Sequence, residues 1–94
     1  MARAIWNGEV IAESATFETI EGNTYFPPTS LRCEYFQPID KTTECSWKGT
    51  AHYYNLIVDG KENQAGAWTY PNPKPAAQHI KDHVAFWRGV VVEQ

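Results

Sequence analysis

Apolar and polar residues alternate in short runs along most of the chain, and turn-forming pairs punctuate them. Ala2 to Trp6 and Glu9 to Ser14 flank Asn7-Gly8, a pair suited to a two-residue type I′ turn, so the chain is expected to open with a hairpin. Phe17 and Ile20 alternate imperfectly with polar neighbours up to Glu21. Gly22-Asn23 then precedes Thr24-Tyr25-Phe26, which predicts a second hairpin. Pro27-Pro28-Thr29-Ser30 interrupts any ladder, because proline has no N–H to donate. Leu31 to Phe36 alternates again, placing Leu31, Cys33 and Tyr35 on one strand face and Arg32, Glu34 and Phe36 on the other. After a break at Pro38-Ile39-Asp40, Thr42 to Val58 is the longest strand-prone stretch, with Gly49 expected to mark a bulge or bend inside it. Asp59-Gly60 supplies a third hairpin turn, and Lys61 to Tyr70 returns the chain.

Pro71-Asn72-Pro73-Lys74-Pro75 is too rich in proline for helix or sheet and reads as a stiff connector. Beyond it, Ala77, Ile80, Val84 and Trp87 recur at helical spacing. Pro75 suits the first helical position and Gly89 a C-terminal stop, so this stretch predicts an amphipathic helix lying on the sheet. Val90-Val91-Val92 reads as a short closing strand. The pattern predicts a mainly β (α+β) fold, a small antiparallel domain of hairpins with one C-terminal helix, spanning residues 1–94 as a single domain without repeats.

Composition changes this picture in kind rather than in outline. Four Trp, five Tyr and four Phe in 94 residues make large rings the main packing material of a small core. The net charge is −3, and the basic residues are scattered, leaving no stripe to neutralise a phosphate backbone; nucleic acid is not an expected partner. No apolar run approaches the roughly 20 residues of a membrane helix, and the amino terminus turns polar after Trp6, so the expectation is a cytoplasmic protein with no membrane partner. In that compartment Cys33 and Cys45 are expected to remain free thiols rather than a structural disulfide.

Three ordered motifs carry a family likeness: Cys45-Ser46-Trp47-Lys48-Gly49-Thr50-Ala51-His52-Tyr53-Tyr54, Ala67-Trp68-Thr69-Tyr70-Pro71-Asn72-Pro73, and Val84-Ala85-Phe86-Trp87. With these the chain resembles, over essentially its whole length, the bacterial family catalogued as domain of unknown function 427, which is also filed under a nucleotidyltransferase heading. The resemblance implies a compact β domain similar to the β-tent proteins, with one helix near the C-terminus. It implies no established activity. At Ser46 the chain departs from the family pattern, in which proline commonly follows the cysteine.

Candidate chemistry centres on Cys45 and Lys48, since a nearby ammonium favours the thiolate that acts as a nucleophile. Regular strand alternation would point the two side chains apart, and only a bulge or turn at Lys48-Gly49 would join them. The competing reading is a buried cysteine beside a solvated lysine. Lys48-Gly49-Thr50 lacks the upstream glycines of a phosphate loop. Asp40, Asp59 and Asp82 stand far apart in sequence, with no sign of a metal pair for nucleotidyl transfer. His79 and His83 are one helical turn apart but lack a third ligand, so neither metal nor cofactor is expected. Trp68 and Tyr70 form a wall that either lines a pocket or sits in the core. Arg32, Trp47 and Tyr53 complete the candidate ligand-binding set, Arg32 as a partner for an anion or for a surface carboxylate. The leading expectation is a pocket around Cys45, Lys48, Trp68 and Tyr70 for a small molecule, anionic or neutral, with or without catalysis. The alternatives are a non-catalytic domain that associates with itself or another protein through an aromatic patch or strand edge, and the nucleotidyltransferase of the family heading.

Overall fold

Asn7 and Gly8 have φ of 50° and 80°, and Asp59 and Gly60 of 51° and 74°, so both pairs make the type I′ turns their sequences favour. In this computed structural model, which describes residues 1–94, the first pair joins β1 (Ala2–Trp6) to β2 (Glu9–Ser14). The second hairpin is present as β3 (Glu18–Ile20) and β4 (Asn23–Tyr25), but its turn is Glu21-Gly22, with φ of 55° and 80°. Asp59-Gly60 joins β6 (Gly49–Val58) to β7 (Lys61–Thr69).

Three expectations are corrected. Leu31 to Phe36 is not a strand: Pro28–Ser30 and Cys33–Tyr35 are 3-10 turns, and Leu31 touches the sheet only through a single bridge to Ala12. The long stretch up to Val58 is not one strand bent at Gly49. β5 (Phe36–Cys45) continues through Pro38-Ile39-Asp40 with a register irregularity between Pro38 and Thr42, then reverses at Ser46-Trp47-Lys48 into β6, pairing Cys45 with Gly49. The C-terminal helix shrinks to a 3-10 segment, Pro75–Ile80, with a kink at Ala77. Val84, expected on its apolar stripe, instead begins strand β8 (Val84–Phe86) against β7.

The architecture is mainly antiparallel β. Strands β5-β6-β7-β8 form the central sheet, β3-β4 a two-stranded ribbon, and β2-β1-β9 a third sheet closed by β9 (Val91–Glu93), the expected last strand. The ribbon joins the central sheet through reciprocal backbone hydrogen bonds between Phe26 and Val84, 2.8 and 2.9 Å. Each face of the central sheet buries its own core, as alternation requires. Leu56, Val58, Ala67, Val84 and Phe86 pack one face against Ala2, Ala4, Ile11 and Ala12 of the first hairpin. On the other face Ala51, Tyr53 and Ala85 meet Ile20, Tyr25, Tyr70 and the 3-10 segment residues Ala77 and Ile80. No helix is long and apolar enough to cross a membrane.

Candidate functional site

The second core is open at one end. Cross-strand pairing sets Tyr53 of β6 beside Trp68 of β7, and Trp68 beside Ala85 of β8. These neighbours share a face; Ala85 is fully buried on it, while Tyr53 and Trp68 line the opening. Tyr25, just before the Phe26 bridge, closes the far side, its ring edge-on to Trp68 at 6.3 Å. The result is a cavity of about 320 Å³ lined by Asn23, Tyr25, Lys48, Tyr53, Trp68, Tyr70 and Trp87. That size falls at the lower end of small-molecule sites, about 300–1,000 Å³.

A bulge in β7 places Trp87. Ala65 adopts φ of 54°, with its N–H held by the Asn55 side chain at 2.8 Å, and the strand register slips between Leu56 and Tyr54. The carbonyls this exposes receive Trp87: its indole N–H donates to Ala65 at 2.6 Å and its backbone N–H to Gly66 at 3.1 Å. Trp87 is therefore a pocket wall, 41% exposed, rather than a core residue of a helix.

Lys48 enters from the β5–β6 turn. That turn is clamped by the proline connector, where the Lys74 backbone N–H donates to the Lys48 carbonyl at 2.9 Å and the Lys74 ammonium to the Ser46 carbonyl at 2.8 Å. Gly49, at φ of 112°, lets the strands leave the turn while the backbone of Asn72 and Lys74 passes close by. The Lys48 side chain is only 7% exposed and is paired with Glu21 from the tip of the β3–β4 hairpin. Its ammonium also lies 5.2 Å from the Trp47 ring centre and 5.8 Å from that of Tyr70. Burial works against the charge, but the Glu21 hydrogen bond and the neighbouring Tyr25, Cys45 and Glu21 outweigh it and raise the lysine pKa. Glu21 is correspondingly lowered, chiefly by its bond to Lys48.

The reversal at residues 46–48 also answers how Cys45 and Lys48 stand to each other. Burial by itself would raise the thiol, but the backbone amides of Lys48 and Trp47 and the Lys48 charge prevail and hold it below the ordinary cysteine value. Cys45 is partly exposed and packs against the second core without lining the cavity. Lys48, Tyr53, Trp68 and Tyr70 share one cavity, and Trp47, 38% exposed, stands at the Lys48 ammonium outside it. Arg32 is exposed beside the first hairpin, its backbone N–H bonded to Ile11, and does not reach the pocket. Cys33 is exposed and both thiols are free. Nowhere do three or more His, Cys, Asp or Glu side chains gather as a metal-ligating group.

Sequence reasoning did not find Asn23, Tyr25, Glu21 and Trp87. The one available signal was Glu21-Gly22, a turn pair that lifts a carboxylate to a hairpin tip; nothing local says where that tip lands.

Fold and site define a small antiparallel β domain with one aromatic-walled cavity and a buried lysine–glutamate pair at its edge. A family model described as a domain of unknown function, DUF427, matches residues 1–94, and the chain belongs to that family, whose model also bears the nucleotidyltransferase heading. No curated protein matches the chain.

Proposed function

We propose that this domain binds a small planar molecule in the cavity between β4, β6, β7 and β8. The observation that supports this best is the convergence of five aromatic rings, Tyr25, Tyr53, Trp68, Tyr70 and Trp87, with the buried Lys48 on one cavity. Packing for stability alone would close such a space, because a void forfeits the contacts its lining would make. Here Trp87 is held over it by two dedicated hydrogen bonds while its ring stays partly exposed. Binding is favoured over covalent catalysis, since Cys45 sits beside the cavity rather than in its wall. Nucleotidyl transfer draws on carboxylates converging on magnesium, and the acidic side chains here do not cluster in that way.

A thermal-shift screen of metabolites tests this reading. A ligand at about 100 times its Kd stabilises the native state by about 2.7 kcal/mol, which shifts the midpoint of a domain this size by several degrees. The expected result is a planar compound that raises the wild-type midpoint and quenches tryptophan fluorescence, with both effects weakened in Trp68→Leu. A screen in which no planar compound does so counts against the pocket, as does a shift that persists unchanged in Trp68→Leu.

A further inference from the structure

Resting on that pocket reading, we infer that the ligand is a monoanionic aromatic or heteroaromatic carboxylate, its ring held between the aromatic walls and its oxygens received by Tyr70 and Lys48. The first observation is an unused hydroxyl. Tyr70 is 5% exposed and lines the cavity, yet its Oη makes no hydrogen bond within the chain. The one sealed polar side-chain atom without a partner is Thr69 Oγ1, so the Tyr70 hydroxyl is not sealed in the core, and its side chain lines the cavity. A polar group in so buried a side chain costs free energy unless something meets it.

The second observation is that the neighbouring cation is also a donor. Tyr25 is fully buried and its Oη accepts the Trp68 indole N–H at 3.2 Å, so it braces the wall. Lys48 spends one hydrogen bond on Glu21 and has two more N–H groups. Burial raises the pKa of Tyr70, so its hydroxyl stays protonated and acts as a donor at neutral pH. An acceptor-rich head group fits this set, and a cationic one does not.

Charge points the same way. Lys41 lies 5.4 Å from the Tyr53 ring centre, Lys48 5.8 Å from that of Tyr70, and the Arg88 guanidinium 4.5 Å from that of Trp87. Three of the cavity's five rings thus carry a cation, one of these cations being paired with Glu21, in a chain of net charge −3. A carboxylate suits this site better than a phosphate. The site offers no arginine fork, glycine-rich loop or helix N-terminus for a dianion, and Glu21 already takes part of the Lys48 charge.

Titration with 2-naphthoate, 2-naphthamide and 2-naphthyl phosphate, followed by tryptophan fluorescence and calorimetry, tests the inference. The expected result is about ten-fold tighter binding of the carboxylate than of the amide, the scale of a charge-assisted hydrogen bond. Tyr70→Phe, which deletes one oxygen and keeps the ring, should remove most of that preference while leaving the amide affinity within about two-fold. Equal binding of carboxylate and amide overturns the carboxylate inference and leaves the pocket standing. Tighter binding of the phosphate overturns it as well. Binding of none of the three overturns both readings, and an unchanged preference in Tyr70→Phe removes the role of that hydroxyl.

Discussion

Glu21, at the tip of the β3–β4 hairpin, meets the ammonium of Lys48, which is rooted in the β5–β6 turn 27 residues further along the chain. The lysine is buried and the carboxylate half exposed, so the pair ties two otherwise separate hairpins at the edge of the cavity. Its effect on stability has a definite sign at each end of the pH scale. The lowered Glu21 value means that its contribution is complete above the ordinary carboxyl value of 4.5 and is lost as the pH falls through the folded value. The raised Lys48 value means that its contribution is complete below 10.5 and is lost as the pH rises through the folded value. Glu21→Gln should lower the melting temperature at neutral pH and remove this part of the acid-side loss, with a smaller difference from wild type at high salt. Melting curves from pH 2 to 7 check it (a range of roughly the carboxylate titration window); an unchanged profile in Glu21→Gln contradicts the coupling.

Legibility of the fold followed how local the cause was. Asn7-Gly8 and Asp59-Gly60 were readable because each turn needs positive φ at both positions and the residues that tolerate it are few. The region beyond the proline connector was misread because Ala77, Ile80, Val84 and Trp87 match a helical period. The chain breaks that period at Asp82, with φ of 62°, and Val84–Phe86 then finds open partners on β7 and at Phe26. Strand pairing offered by distant residues overrides local propensity there.

The candidate site divides along the same line. Trp68 and Tyr70 share a wall because alternation puts them on one face, and this was legible. The proximity of Cys45 and Lys48 depends on a hairpin rather than a bulged strand, and Gly49 marked the place without specifying which. Glu21 and Trp87 reach the site through contacts 27 and 22 residues away, and no periodicity encodes those.

Cys45 should react as a tuned thiol. In a Cys33→Ser background, carbamidomethylation by iodoacetamide should reach half its limiting rate below the ordinary thiol value of 9.0. Lys48→Met should move that midpoint up, because it removes the favourable charge. Glu21→Gln should move it down, because the Glu21 charge opposes the thiolate. A midpoint indifferent to both substitutions would show that the Lys48 and Glu21 charges do not act on this sulfur.

Gly49 should resist substitution. At φ of 112° an alanine is strained, and its Cβ would sit 3.4 Å from the Asn72 carbonyl and 3.5 Å from the Lys74 nitrogen, both backbone atoms. Gly49→Ala should cost about 1–3 kcal/mol in urea unfolding, and by displacing the Lys48 turn it should weaken ligand binding beyond that loss of stability. A cost within about 0.5 kcal/mol, typical of an uninvolved surface site, would mean that the turn relaxes freely.

Gly66 should be intolerant for a different reason, since its backbone is not in the left-handed region and only space is lacking. A Cβ there would lie 2.8 Å from Asn63 Cγ. Asn63 is 8% exposed and donates to the Arg88 carbonyl at 2.9 Å, so it has no solvent-facing rotamer to escape into without giving up that bond. Gly66→Ala should therefore destabilise by about 1–3 kcal/mol, the usual cost of overpacking. Because the Gly66 carbonyl also holds the Trp87 backbone N–H, the substitution should shift tryptophan fluorescence. A double-mutant cycle isolates the cause: adding Gly66→Ala to Asn63→Ala should cost much less than adding it to wild type, since the clashing amide is gone. Equal costs in the two backgrounds would place the strain elsewhere in the β7 bulge.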